Sequence, residues 1–159
     1  MTAPNHALTG AVIGLSVANP WLALPMAFLS HFVCDAIPHF DIADTAKTSA
    51  LSRIRTRKFF LIQIVGGGCL CVLLVLVLAF AQPRHWLLAA IAAFVATLPD
   101  VLWFPRYLHI KRTGKDVDME HPNVLWKVHN RIQWFAAPRF AWLEAVWCVV
   151  FGAAVLSYL

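Results

Sequence analysis

The chain has 159 residues, 60% of them hydrophobic and only 13% charged, with 13 basic against 8 acidic side chains. A mean hydropathy of +0.69 lies far outside the soluble globular range, and the formal charge of +5 comes with no aromatic-interleaved basic module, which excludes a nucleic-acid-binding domain. What remains is a single all-α integral-membrane domain over residues 1–159, a polytopic helix bundle.

The first apolar stretch is interrupted by Asn19-Pro20, and Pro20 clashes with a continuing helix. It reads as an N-terminal helical hairpin over residues 4–37, with arms of roughly Pro4–Ala18 and Trp21–Ile37 and its turn on the outer side. Gly10 and Gly14 allow the two arms a close approach. The alternative is one long kinked span, which places the N-terminus outside. No basic region precedes the apolar run, so no secretory signal peptide is expected.

The descending arm ends in L-S-H-F-V-C-D-A-I-P-H-F-D, from Leu29 to Asp41. His31 and Asp35 are spaced i, i+4, share one helix face and can grip the same ion. Imidazole and carboxylate together suit zinc, manganese or iron. Pro38 ends the helix before His39, and a straight helix would hold His31 and His39 about 12 Å apart. His39 therefore joins only if the chain bends back or if Asp35 bridges two ions.

A basic loop, 39–58, leads into helix 59–81, which carries no charge and is long enough to cross a hydrocarbon core of about 30 Å. After the turn Gln82–His85, helix 86–105 contains A-T-L-P-D, where Pro99 marks a break and Asp100 is an expensive carboxylate at membrane depth. In the segment 106–137, Leu125, Val128, Ile132 and Phe135 make the apolar stripe of an interfacial helix; His129 falls on that stripe and points toward the bundle. Helix 139–159 closes the chain and carries Glu144. Cys34, Cys69, Cys71 and Cys148 lie in apolar helices without a C-x-x-C pair, so no disulfide framework is expected. All basic residues but Arg84 fall on one side of these helices, which makes that side cytoplasmic and suits anionic lipid head groups.

Depth brings the ionisable residues together. At the rise of an α-helix, His6 lies roughly 20 Å below the Asn19 turn, His31 roughly 17 Å and Asp35 roughly 22 Å; Asp100 and Glu144 lie roughly 21 and 22 Å from the outer face. One layer near the cytoplasmic boundary thus receives five such groups from four helices, provided the first stretch is a hairpin.

The candidate ligands are His6, His31, Asp35, His39, Asp100 and His129, holding one or two divalent ions, zinc first, manganese or iron otherwise. Such an ion lowers the pKa of a bound water toward neutrality for attack on an ester or phosphoester. Asp41 or Glu144 would be the general base, with Arg131, Arg55 and Arg57 orienting an anionic head group of a lipid-like substrate. The competing reading is a non-catalytic membrane module whose buried polar network fixes helix packing and whose basic loops bind a protein partner or anionic lipid.

The early histidine, the HFVCDAIPHFD cluster, Leu-Pro-Asp at 98–100 and His-Asn-Arg at 129–131 together resemble the bacterial family of predicted membrane-bound metal-dependent hydrolases, small inner-membrane proteins of several helices. The resemblance implies a metal-dependent hydrolase. That family typically shows Pro-Asp followed by Asp-His in its first cluster, and a His-Arg then a Thr-His pair later. Here the first cluster is Asp35, Pro38, His39 and Asp41, and the later segment, His129 to Gln133, has no second histidine.

Overall fold

The computed structural model describes residues 1–41, 57–102, 105, 109, 112–113, 124–133 and 135–159, with the backbone alone at 57–61, 125–126 and 130. Among these residues the elements are helices: α1 (Ala3–Ser16), α2 (Pro20–Ala36), α3 (Arg57–Ala81), α4 (Trp86–Leu102), α5 (Val124–Ile132) and α6 (Ala141–Leu156), the last preceded by a 3-10 turn at Pro138–Phe140. Arg55 and most of the expected cytoplasmic loops lie outside the described residues.

Asn19 and Pro20 reverse the chain as their chemistry dictates. The Asn19 side-chain oxygen accepts from the Trp21 N–H at 3.0 Å, capping α2, and Pro20 fills its first position, where no N–H is needed. α1 and α2 therefore run antiparallel, with the His6 and His31 rings stacked at 4.0 Å near the far end. The two arms have 14 and 17 residues, about 21 and 25 Å of helix, short of a hydrocarbon core of about 30 Å. Among the described residues two segments are long and apolar enough to cross a membrane: Ile62–Ala81 and Pro138–Leu156, with mean hydropathies of 2.8 and 1.6. The reversal between α3 and α4 is tight enough that Gln82 and His85 both take positive φ, 47° and 68°.

α1 is the hub, touching α2, α3, α4 and α6. Its Gly10 and Gly14 do face a close neighbour, but that neighbour is α4 and not the other arm of the hairpin. A Cβ on Gly10 would fall on the Ala92 carbonyl oxygen, and one on Gly14 would lie 2.5 Å from the Ala89 Cα. Small residues on both helices, Gly10 and Gly14 against Ala89, Ala92 and Ala96, let the backbones meet. We expect Gly14→Val to cost about 3 kcal/mol by overpacking, measured as a lowered unfolding midpoint in detergent. Gly152→Val, which meets nothing within 4 Å, should leave the midpoint in place.

α1 meets α6 on a polar face. Asn5 donates to Glu144, the Trp147 indole N–H donates to Thr9 Oγ1 at 2.9 Å, and Ser16 shares a hydrogen bond with Tyr158. The buried apolar set is dominated by alanines, among them Ala7, Ala11, Ala23, Ala27, Ala89, Ala92, Ala93 and Ala96. The large aliphatic and aromatic side chains, such as Leu29, Val33, Leu73, Leu76, Phe80, Ile91, Phe94 and Val149, point outward. Small and polar residues inside with large apolar ones outside is the packing expected when lipid is the solvent.

Candidate metal centre

Four elements deliver side chains to one end of the bundle. α1 contributes His6 and α2 contributes His31 and Asp35, all essentially inaccessible to solvent; α4 contributes Asp100, its side chain 37% exposed, and α5 contributes His129 at 14%. The imidazoles converge on the Asp35 carboxylate. His6 Nε2 lies 3.1 Å from Oδ1, while His31 Nε2 and His129 Nε2 lie 3.3 and 3.0 Å from Oδ2. Asp100 Oδ1 is farther out, 3.7 Å from His31 Nε2 and 3.9 Å from His129 Nε2. The Met1 amino group also contacts Asp35 Oδ1.

Local sequence explains the placement. Pro99 has no N–H to donate, which loosens the α4 ladder in the turn that precedes it. In that turn the Ala96 carbonyl accepts from His31 Nδ1–H at 2.9 Å. The bond fixes the tautomer and leaves Nε2 as the free electron pair, the usual outer-shell arrangement of a metal-ligating histidine. His129 arrives because the chain between α5 and α6 is pinned to the exit of α2: the Ala137 N–H donates to the His39 carbonyl at 3.0 Å, and His39 bridges Ala136. α5 turns His129, Ile132 and Gln133 inward, while Val124, Val128 and Phe135 are exposed. Val128 and Phe135 of the apolar stripe therefore face away from the bundle, Ile132 is half-buried, and His129 points inward as expected.

Among the described residues two groups can hold an ion by proximity, His6 with His31 and Asp35, and His31 with Asp100 and His129. The donor set fits a divalent cation on two counts. Among the described residues neither ring nitrogen of the fully buried His6 makes a hydrogen bond, and Nε2 faces the Asp35 carboxylate at 3.1 Å. In addition, His129 Nε2 lies 3.0 Å from Asp35 Oδ2, 2.9 Å from the Gln133 amide nitrogen and 3.4 Å from His31 Nε2, which carries no proton in the neutral ring that donates through Nδ1. Atoms this close around one buried carboxylate oxygen are held by a shared proton or by a cation.

The other expected site residues lie elsewhere. His39 is buried, but its Nδ1–H donates to the Ile37 carbonyl at 2.8 Å and it belongs to neither ligand group. Burial, and then the positive charge of the Met1 amino group, hold its imidazole below the ordinary value of 6.5. Stability is then full above about pH 6.5 and falls as acidification protonates the unfolded chain first; His39→Gln should flatten that fall in an unfolding titration against pH. Asp41 is half-buried and in neither group. Glu144, expected as a base, is enclosed by donors: Thr2 N–H, Thr2 Oγ1 and Asn5 Nδ2 on Oε2, at 3.2, 2.7 and 2.6 Å, and Phe40 N–H on Oε1 at 3.2 Å. It ties the N-terminus and the α2 exit to α6. Arg131 is exposed on α5, Arg57 begins α3, and Arg55 falls outside the described residues.

Gln133 is the site residue that motif and depth did not single out. Its amide donates to Asp35 Oδ2 at 3.1 Å as well as to His129. The sequence does carry a signal for it, since Gln133 follows His129 by four residues, the same spacing that joins His31 to Asp35. No protein-family model, no curated protein and no solved structure matches this chain.

Proposed function

We propose that the chain is a multi-pass inner-membrane protein that hydrolyses an ester or phosphoester with a divalent metal ion, zinc first, at the cytoplasmic end of its bundle. The carrying observation is the convergence of His6, His31 and His129 on the Asp35 carboxylate. His31, His129 and Asp35 would hold the ion, which supplies a Lewis acid and activates water at neutral pH. The carboxylate left to accept a proton is Asp100, the most exposed member of the cluster, since Glu144 is held by its donors. Arg131, exposed on α5 beside His129, is placed to meet an anionic group. The outward aliphatic surface supports a membrane setting for all the helices, so the site lies where a lipid-like substrate presents its head group.

Glu144 favours a second reading, a non-catalytic module whose polar network fixes helix packing, because its four donors tie two separate segments, the start of α1 and the exit of α2, to α6. Hydrolysis separates the two. Protein in proteoliposomes should cleave a phosphodiester or carboxylic-ester reporter, lose that activity to a chelator, regain it with zinc or manganese, and lose it in His31→Ala. Turnover that survives both chelation and His31→Ala would overturn the metal-dependent reading.

A further inference from the structure

The four atoms His31 Nε2, His129 Nε2, Asp35 Oδ2 and Gln133 Nε2 form a compact figure. Five of its six edges are set: 3.4 Å between the histidines, 3.3 and 3.0 Å from them to Asp35, and 3.1 and 2.9 Å from Gln133 to Asp35 and to His129. A tetrahedral ion with bonds near 2.0–2.1 Å sets its ligands about 3.3 Å apart. Gln133 thus lies at ligand-to-ligand spacing from both Asp35 and His129, and nearer to His129 than Asp100 is, at 2.9 against 3.9 Å.

The carboxamide is suited to this place. Its oxygen and nitrogen are nearly identical in shape, and a half-turn about the terminal bond exchanges them at one position. In the orientation described, the N–H group holds Asp35 and His129 together without an ion; in the other, a carbonyl oxygen meets the cation. We propose that Gln133 is the fourth protein ligand of the metal centre, through its side-chain oxygen, giving a set of two imidazoles, one carboxylate and one neutral amide. Asp100 then stands outside that set as the solvent-facing carboxylate. The inference rests on the metal-centre reading. A neutral oxygen in the fourth position, rather than a third histidine, moves the balance of this zinc-first site toward manganese, since carbonyl and carboxylate oxygens suit that ion and imidazole suits zinc.

The test is direct titration of manganese and of zinc into detergent-purified, metal-stripped protein, comparing wild type with Gln133→Leu, Gln133→Glu and Gln133→His. Folding is verified by circular dichroism and unfolding midpoint. Loss of the oxygen in Gln133→Leu should weaken manganese binding about 10- to 100-fold. Gln133→Glu, an oxygen ligand of equal reach with added charge, should bind at least as tightly as wild type, and Gln133→His should raise zinc affinity relative to manganese. If Gln133 only donates hydrogen bonds, Gln133→Glu sets a third anion against Asp35 and weakens binding, and that result overturns the assignment. Unchanged affinity in a folded Gln133→Leu overturns it as well. Wild type that binds neither metal defeats the underlying metal-centre reading instead, so the two failures are distinct.

Discussion

Asp35→Ala is expected to lose the divalent ion, with an affinity drop of more than about 100-fold. Asp35 is the single residue that His6, His31, His129 and Gln133 all face, and both of its oxygens are engaged. Removing any one histidine leaves the others gathered on a carboxylate; removing the carboxylate leaves them with no common centre. The loss is also readable as stability. An ion at a hundred times its Kd stabilises the folded state by about 2.7 kcal/mol, so zinc or manganese should raise the wild-type unfolding midpoint and leave that of Asp35→Ala where it is. A midpoint that rises equally in both proteins would place the binding elsewhere.

Glu144→Ala should cost more stability than any other single substitution named here, about 3–5 kcal/mol, without removing a ligand. Its carboxylate gathers four donors from Thr2, Asn5 and Phe40 onto α6, and truncation leaves those buried or half-buried N–H and O–H groups unpaired, each at about 1–3 kcal/mol. Glu144→Gln keeps the shape and one acceptor, and should recover roughly half of the loss. Unfolding in a denaturing detergent measures both. Metal bound per folded molecule should be unchanged in Glu144→Gln, because none of its donors belongs to the His/Asp cluster; a proportional loss of metal would return Glu144 to the site.

Much of the site is legible in the sequence. The i, i+4 spacing of His31 and Asp35, and the helix depths of His6 and Asp100, depend only on helical geometry and the turns at Asn19-Pro20 and Gln82–His85, and these four residues do meet. Depth alone places Glu144 at the same end of the bundle, yet depth carries no information about which side of a helix a residue occupies. Asn5 and Thr2 are ordinary polar residues in sequence, and only the packing of α1 on α6 turns them toward Glu144. Gly10 and Gly14 announce a close helix contact without naming the partner, and the nearest helix in sequence is the wrong one.

His39 illustrates a different limit. Its position after Pro38 leaves the backbone direction undetermined, and a bridge to Ala136, far along the chain, settles it. The apolar stripe of α5 misleads for a physical reason: in water such a stripe marks the buried face, whereas here Val128 and Phe135 are exposed and the inward face is His129 with Gln133. The hub helix is likewise hard to single out, because hydropathy ranks α1 below α3 and α6 although α1 contacts more of the bundle than either. In a helix bundle whose outer surface is apolar, small and polar residues mark the interior.

The most direct test of the metal centre is the metal-to-protein ratio of the wild-type chain, measured by elemental analysis after purification in mild detergent and again after stripping and reloading with zinc or manganese. The convergent His31, Asp35 and His129 predict about one equivalent of a divalent ion retained through gel filtration. A folded bundle that retains none after reloading would contradict the metal centre, and the cluster would then be a proton-sharing polar network that holds α1, α2, α4 and α5 together.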